Sequence, residues 1–161
     1  MRDEAVVNAS PLIFFSRGGH FELLRFCADR LLVPIPVVNE ISARGANDPT
    51  AQCLRQASWL EVVADVSVPS SILSWGLGSG ESAVLAVAMS RTGRLVLLDD
   101  LAGRRCACAH GLPLMGTLGV VLEAKKSGRL DHARPVLEDL LRGGMYLRRS
   151  VLDAALALVG E

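Results

Sequence analysis

Short apolar runs alternate along the chain with longer stretches whose apolar residues recur at helical spacing. Ala5-Val-Val7, Leu31-Leu-Val33, Trp59 to Val63, the run from Arg94 to Leu98, and Leu114-Met115 are the short runs. Bounded by Gly, Pro, Asn or Asp, they predict five strands. Between and after them the spacing predicts helices. Ser10-Pro11 reads as a cap with Pro at the first helical position, ahead of a Gly18-Gly19 break. Further helices are expected over Phe21–Asp29, Val37–Ala43, Thr50–Ser58 and Gly80–Ser90, the last with an apolar stripe of Ala83, Val84, Val87 and Ala88. Others run from the Asp99-Asp100 pair to His110, from a Thr117 cap to Lys126 before Gly128, from His132 to Leu141, and from a Ser150-x-x-Asp153 capping box to Val159. Residues 65–79, with Pro69, Gly76 and Gly78, read as a connecting loop.

Strands alternating with helices imply an α/β fold, with a parallel sheet covered by helices. No repeat or linker divides the chain, so residues 1–161 are expected to form one domain. Residues from about 129 onward read as a helical C-terminal appendage that packs on the same body or on a partner. The run from Arg94 is taken as the central strand. In such sheets ligands sit beyond the carboxyl ends of the strands, where Asn8 and Asp99-Asp100 fall as neighbours. Glu40 and Glu81 lie on helices that can reach the same edge.

Each residue also has a plainer role. Asp100 can cap the following helix, Asp99 and Glu40 can be solvated charges, Asn8 can form a turn, and Glu81 can answer a helix dipole. Their coincidence changes the picture. Two like charges 4 Å apart repel by about 4 kcal/mol at an effective dielectric near 20. Four carboxylates at one edge therefore call for a cation, and hard oxygen donors favour Mg2+ or Mn2+.

Composition adds constraints. Half of the 161 residues are hydrophobic and only 4% aromatic, so the core must be aliphatic. The 17 basic residues balance 17 acidic ones, with the first 80 residues at about −2 and the rest at about +2. That asymmetry permits a local basic rim but no wholesale nucleic-acid-binding charge. Cys27, Cys53, Cys106 and Cys108 have no C-x-x-C spacing, and the last two should face opposite sides of a helix. Reduced thiols and a cytoplasmic location are expected. The Met-Arg-Asp-Glu start does not read as a signal peptide, and no apolar run reaches the ~18–20 residues of a membrane span.

Val7-Asn-Ala-Ser-Pro-Leu-Ile13, Leu77-Gly-Ser-Gly-Glu-Ser82, Leu97-Leu-Asp-Asp100 and Gly116-Thr-Leu-Gly-Val-Val-Leu-Glu-Ala-Lys125 occur in that order. Together they resemble a branch of the PIN-domain family that includes the VapC-like toxins of toxin–antitoxin pairs. The resemblance implies a three-layer α/β/α fold with a mostly parallel sheet, and metal-dependent cleavage of RNA. It puts catalytic and Mg2+- or Mn2+-binding roles on Asn8, Glu40, Glu81, Asp99 and Asp100, with Asp100 favoured as ligand. A small antitoxin is the partner that the resemblance implies; the leucine-rich final helices point to a homodimer, and no membrane partner is expected. Arg104, Arg105, Lys125 and Lys126 are candidate phosphate contacts, each also readable as a solvated helix face. Thr117 is a candidate contact to substrate or metal-bound water, or a plain helix cap.

Two positions depart from the family pattern. Asn8 stands where an Asp is common, and Ala83 where the fullest pattern has a second Glu. An amide oxygen can bind a hard cation but cannot act as a base. The leading expectation is a metal-dependent endoribonuclease. The alternative is a weakened or inactive PIN-like module that binds RNA or a protein without cutting. A phospho-acceptor domain is a third class, but Asn8-Ala9-Ser10 lacks the acidic pair it requires.

Overall fold

The computed structural model describes residues 2–64 and 66–161. Five strands build its centre: β1 (Glu4–Val7), β2 (Arg30–Pro34), β3 (Leu60–Val63), β4 (Leu95–Leu97) and β5 (Leu114–Met115). They form one sheet in the order β3-β2-β1-β4-β5, and every neighbouring pair is parallel. The middle strand is thus β1. The Arg94 run, expected at the centre, supplies its neighbour β4. β1 and β4 read as continuous apolar runs because helices cover both faces of a parallel sheet; Ala5, Val6, Val7 and Leu95 through Leu98 are all buried.

The helices are α1 (Ala9–Arg17), α2 (Ile35–Ser42), α3 (Pro49–Gln56), the single turn α4 (Ser70–Leu73), α5 (Ser79–Met89), α6 (Leu101–Ala109), α7 (Thr117–Lys126), α8 (Ala133–Arg142) and α9 (Arg149–Ala157). The α/β architecture and the parallel sheet agree with the expectation from alternation. α5 is buried on every side from Ser82 to Ala88, not along one stripe. A helix apolar all round belongs inside a domain, and α5 packs against α2, β1, β2 and β4.

Several local expectations are corrected. α1 begins at Ala9 with Asn8 in the cap position, so Pro11 is its third residue, not its first. Phe21–Phe26 is a 3-10 helix, not a helix reaching Asp29. The segment after β3 contains α4, while Asp65 lies outside the described residues. α9 starts at Arg149 with no side-chain cap, so the Ser150/Asp153 box does not form.

The C-terminal helices belong to the same body. α8 packs on α7 and α1, and α9 on α7. Gly143 sits so close to the end of α1 that a Cβ there would lie 3.1 Å from the Arg17 backbone. His20 meets Asp139 of α8 at 2.7 Å. The Glu161 carboxylate accepts the Ala133 and Arg134 N–H groups at 2.7 and 3.0 Å, closing the free amino end of α8. Among the described residues, no helix is long and apolar enough to cross a membrane. Cys106 is buried and Cys108 exposed, on opposite sides of α6 as expected.

At the amino end of the sheet, Glu4 is only 3% exposed and takes three guanidinium groups. Arg94 Nε donates to it at 2.6 Å, Arg91 Nη1 at 3.0 Å and Arg30 Nη1 at 2.5 Å. Arg30 also forks onto Glu61 of β3, at 2.9 and 2.6 Å. The hydrogen bond from Arg94 is the main cause that holds the Glu4 carboxyl below its ordinary value of 4.5, against the opposing pull of burial. A depressed carboxyl contributes stability above its unfolded pKa, and that stability is lost as pH falls through the folded one. Glu4→Gln is therefore expected to lower stability near pH 7 by about 1.5–3 kcal/mol, the scale of hydrogen bonds to a charged group. A fully enclosed pair would lose more, but Arg30 and Arg91 are half exposed. Denaturant titrations at pH 7 and below 4.5 should show the variant and the parent converging in acid.

Candidate functional site: an acidic cleft at the carboxyl edge of the sheet

β1 and β4 end together. Val7 pairs with Leu97, and the Asn8 N–H donates to Leu97 O at 3.0 Å. From β1 the chain order runs to β2 on one side and to β4 on the other, which makes this edge the switch point of the sheet. Four segments meet there: the turn into α1 with Asn8, α2 with Glu40, the first turn of α5 with Glu81, and the turn from β4 into α6 with Asp99 and Asp100.

An open cleft of about 690 Å³ is lined by Asn8, Ser10, Asn39, Glu40, Gly80 and Glu81, among others. Gly80 is the close-approach point. A Cβ there would lie 2.9 Å from Glu40 Oε2 and 3.5 Å from Asn8 Oδ1, so the two oxygens converge over its bare Cα. Asn8 is 4% exposed, and its Oδ1 is buried with no hydrogen-bond partner among the described residues. An unsatisfied buried acceptor costs about 1–3 kcal/mol. Burial first, then the neighbouring Asp100 and Glu40 carboxylates, push the Glu81 carboxyl above its ordinary value; the Gly78 backbone N–H pulls the other way. Asp100, Glu40 and Glu81 thus share one electrostatic field.

The aspartate pair divides its work. Asp100 Oδ2 caps α6 by accepting the Gly103 N–H at 3.0 Å, while the side chain stays exposed. Asp99 instead faces α7: Oδ1 accepts the Thr117 N–H at 2.8 Å and Oδ2 the Thr117 hydroxyl at 2.6 Å. Asp99 therefore closes the start of α7 from a different element. Thr117 is fully buried and is the first residue of α7, with Gly116 in the cap position. That position corrects its expected role as helix cap; its hydroxyl anchors Asp99.

The basic residues divide as well. Arg104 is half-buried near the pair, its Nη1 donating to Leu98 O at 3.3 Å, and Arg105 is exposed one residue further along α6. Lys125 and Lys126 lie far away. α7 starts at the cleft edge and spans about 15 Å at ~1.5 Å per residue. Its last turn borders a hollow that also contains Arg2 and Leu95, residues at the amino ends of β1 and β4. Lys125 Nζ donates to Asp131 O and sits 3.7 Å from Glu161. The expected phosphate rim loses both lysines for this reason. Ala83 is buried, with the core face of α5. Ser10, Asn39 and Ser79 line the cleft although the sequence reading did not single them out; only their closeness to Asn8, Glu40 and Glu81 along the chain could have marked them.

Fold and site define a class: a parallel α/β domain with an acidic cleft at its switch point. A family model described as a PIN domain matches residues 4–161, and the chain belongs to the PIN-domain family. No curated protein sequence matches the chain.

PIN domains typically use divalent metals. Among the described residues, no three carboxylate, imidazole or thiol groups are gathered to hold one by themselves. The orphaned Asn8 oxygen, which with Glu40 Oε2 lies close to Gly80, adds an oxygen donor to the carboxylates. An amide oxygen with neighbouring carboxylates is a hard donor set that fits Mg2+ or Mn2+.

Two outcomes follow for the metal-free protein. A raised carboxyl contributes stability that is present below its unfolded pKa and is lost as pH rises through its folded pKa. Glu81→Gln should therefore raise the Tm at pH 7.5 in EDTA, by roughly 2–4 °C per kcal/mol of repulsion removed, with the gain vanishing in acid. Asp99→Ala should cost about 1.5–3 kcal/mol through the lost anchoring of α7, whereas Asp100→Asn, which keeps a capping side chain, should change stability little. Paired thermal melts check both.

Proposed function

We propose that this protein is a divalent-metal-dependent endoribonuclease. The observation that carries the reading is a cleft lined by Glu40, Glu81 and Asn8, whose buried Oδ1 has no partner among the described residues, with the Asp100 charge in the same field. The raised Glu81 carboxyl, with Glu40 and Asp100 in its field, supports a cation that would relieve their repulsion. Glu40, Glu81, Asp100 and Asn8 would hold the metal. When bound, it supplies a water of lowered pKa and stabilises negative charge on a phosphate.

The chain's own groups do the rest. The first-turn N–H groups of α5 lack partners within the helix and face the cleft mouth, where phosphate oxygens can be received. Arg104 and Arg105 stand on the α6 side as phosphate contacts. Asp99 acts as a positioning residue, fixing α7 against the turn that carries Asp100. RNA as the substrate, a small antitoxin as partner, self-association and a cytoplasmic setting are the finer parts of the proposal. RNA and the antitoxin rest on the resemblance of the Asn8, Gly80-Glu81, Asp99-Asp100 and Gly116–Lys125 segments to VapC-like toxins, self-association on the leucine-rich final helices, and the cytoplasmic setting on the unpaired cysteines.

Asn8 favours one second reading, a module that binds RNA without cutting it. A neutral group where an acid is common lowers the charge available for catalysis. Incubation of the chain with mixed single-stranded RNA separates the two. Cleavage in Mn2+ or Mg2+ is expected, abolished by EDTA and reduced roughly 100-fold or more by Asp100→Asn, the scale of losing a group that stabilises transition-state charge. Cleavage at the parental rate in EDTA and in Asp100→Asn would overturn the nuclease assignment to this cleft. RNA retained without cleavage would support the binding module.

A further inference from the structure

We propose that the amino end of the sheet, opposite the acidic cleft, binds a nucleotide: an aromatic base joined to a phosphate. The proposal does not depend on the metal-dependent reading above.

Three observations carry it. The first is a pair of adjoining hollows. One, of about 540 Å³, is lined by Arg2, Phe26, Met115, Val120, Glu123 and Arg129, among others. The other, of about 420 Å³, is lined by Arg25, Phe26, Asp29, Leu31, Trp59 and Arg129, among others. Asp29 and Trp59 immediately precede β2 and β3, which places this hollow at the amino edge. Phe26 and Arg129 line both hollows, so the two share a border. Each has the size of a small-molecule pocket, about 300–1,000 Å³, and mixes apolar walls with a few charges.

The second observation is the pairing of guanidiniums with aromatic rings. Arg129 Cζ lies 4.4 Å from the Phe26 centroid, and Arg25 Cζ 5.8 Å from the Trp59 ring. Phe26 stays 39% exposed although it is a large apolar ring. The end of α7 sets Arg129 there: Gly128 turns the chain at φ 72°, and the Arg129 N–H donates back to Ala124 O at 2.8 Å. Arginine and aromatic planes side by side are the parts on which proteins stack bases.

The third observation is that the cations are available. Arg2 and Arg129 make no ion pair among the described residues. Arg25 pairs only with Glu22, at 3.1 Å, and both side chains are more than half exposed. Such a pair is worth little and yields readily to a phosphate. The two hollows then divide the ligand. The phosphate belongs in the first, with Arg2 and Arg129, and the base in the second, beside Trp59 and Leu31. Asp29, when ionised, only accepts hydrogen bonds, so it favours a base whose edge carries an amino group, such as adenine, over uracil.

The test is calorimetric titration of the full chain in EDTA with adenosine 5′-monophosphate, uridine 5′-monophosphate, adenosine and a short oligoadenylate. Trp59 emission is followed in parallel in Trp75→Phe, which leaves it the sole tryptophan. Saturable binding of the adenine nucleotide with quenching of Trp59 is expected. Adenosine and the uridine nucleotide should each bind about tenfold or more weakly. Arg129→Gln should weaken binding about tenfold or more, the scale of losing a hydrogen bond to a charged group. Arg129 is exposed, so the variant keeps the fold; circular dichroism verifies it, and Arg25→Gln serves as the second variant. Binding of the mononucleotide assigns the site to a free nucleotide. Binding of the oligoadenylate alone, still weakened by Arg129→Gln, assigns the same chemistry to a stretch of RNA. No binding of either, or binding unchanged in both arginine variants, would overturn the proposal.

Discussion

The clamp of three arginines on Glu4 is the interaction on which the sheet's order depends. Glu4 opens the middle strand, and its partners come from β2 and from the turn leading into β4, on the two sides of β1. Through Arg30 the network reaches Glu61 on β3. Four of the five strands are thereby tied at their amino ends by charges that satisfy one another. The opposite end has the reverse character. There Glu40, Glu81 and Asp100 have no ion pair among the described residues, and burial together with these like charges raises the Glu81 carboxyl. A sheet fastened at one edge can tolerate mutual repulsion at the other.

The carboxyl edge is built by a second device, the reach of Asp99 to Thr117. Both carboxylate oxygens are used on the first residue of α7, which fixes that helix beside β5 and β4. The adjacent Asp100 turns outward and caps its own helix instead. Adjacent residues of one type thus take separate duties because successive side chains leaving a strand point in different directions. One of the pair holds the wall and the other stays at the surface beside the cleft.

Much of this was legible in the sequence. Five apolar runs became five strands, and for β1 and β4, buried on both faces, continuous hydrophobicity was pattern enough. Strand polarity put Asn8 and the Asp99-Asp100 pair at one edge, while Glu40 and Glu81 were expected there from the placement of their helices and from the resemblance. What escaped had partners far away along the chain. Nothing local to Glu4 announces arginines 26 to 90 residues distant, and Thr117 reads as a cap until Asp99 is seen to reach it from 18 residues upstream. The rank of β1 as middle strand depends on the pairing order, which spacing does not encode. Lys125 and Lys126 read as candidate phosphate contacts, and the length and direction of α7 carry them toward the opposite end of the sheet.

The fork of Arg30 onto Glu61 has a further consequence, for the protein's behaviour in a crowded solution. β3 is an outer strand with open backbone groups, and its Val62 is 57% exposed. Such an edge is a template on which another chain's strand can add. A held Glu61 keeps a charged pair on that ribbon of only four residues, and the other outer strand, β5, has only two. Neither border is long and neutral enough to recruit a sixth strand, so the sheet resists growing into an aggregate.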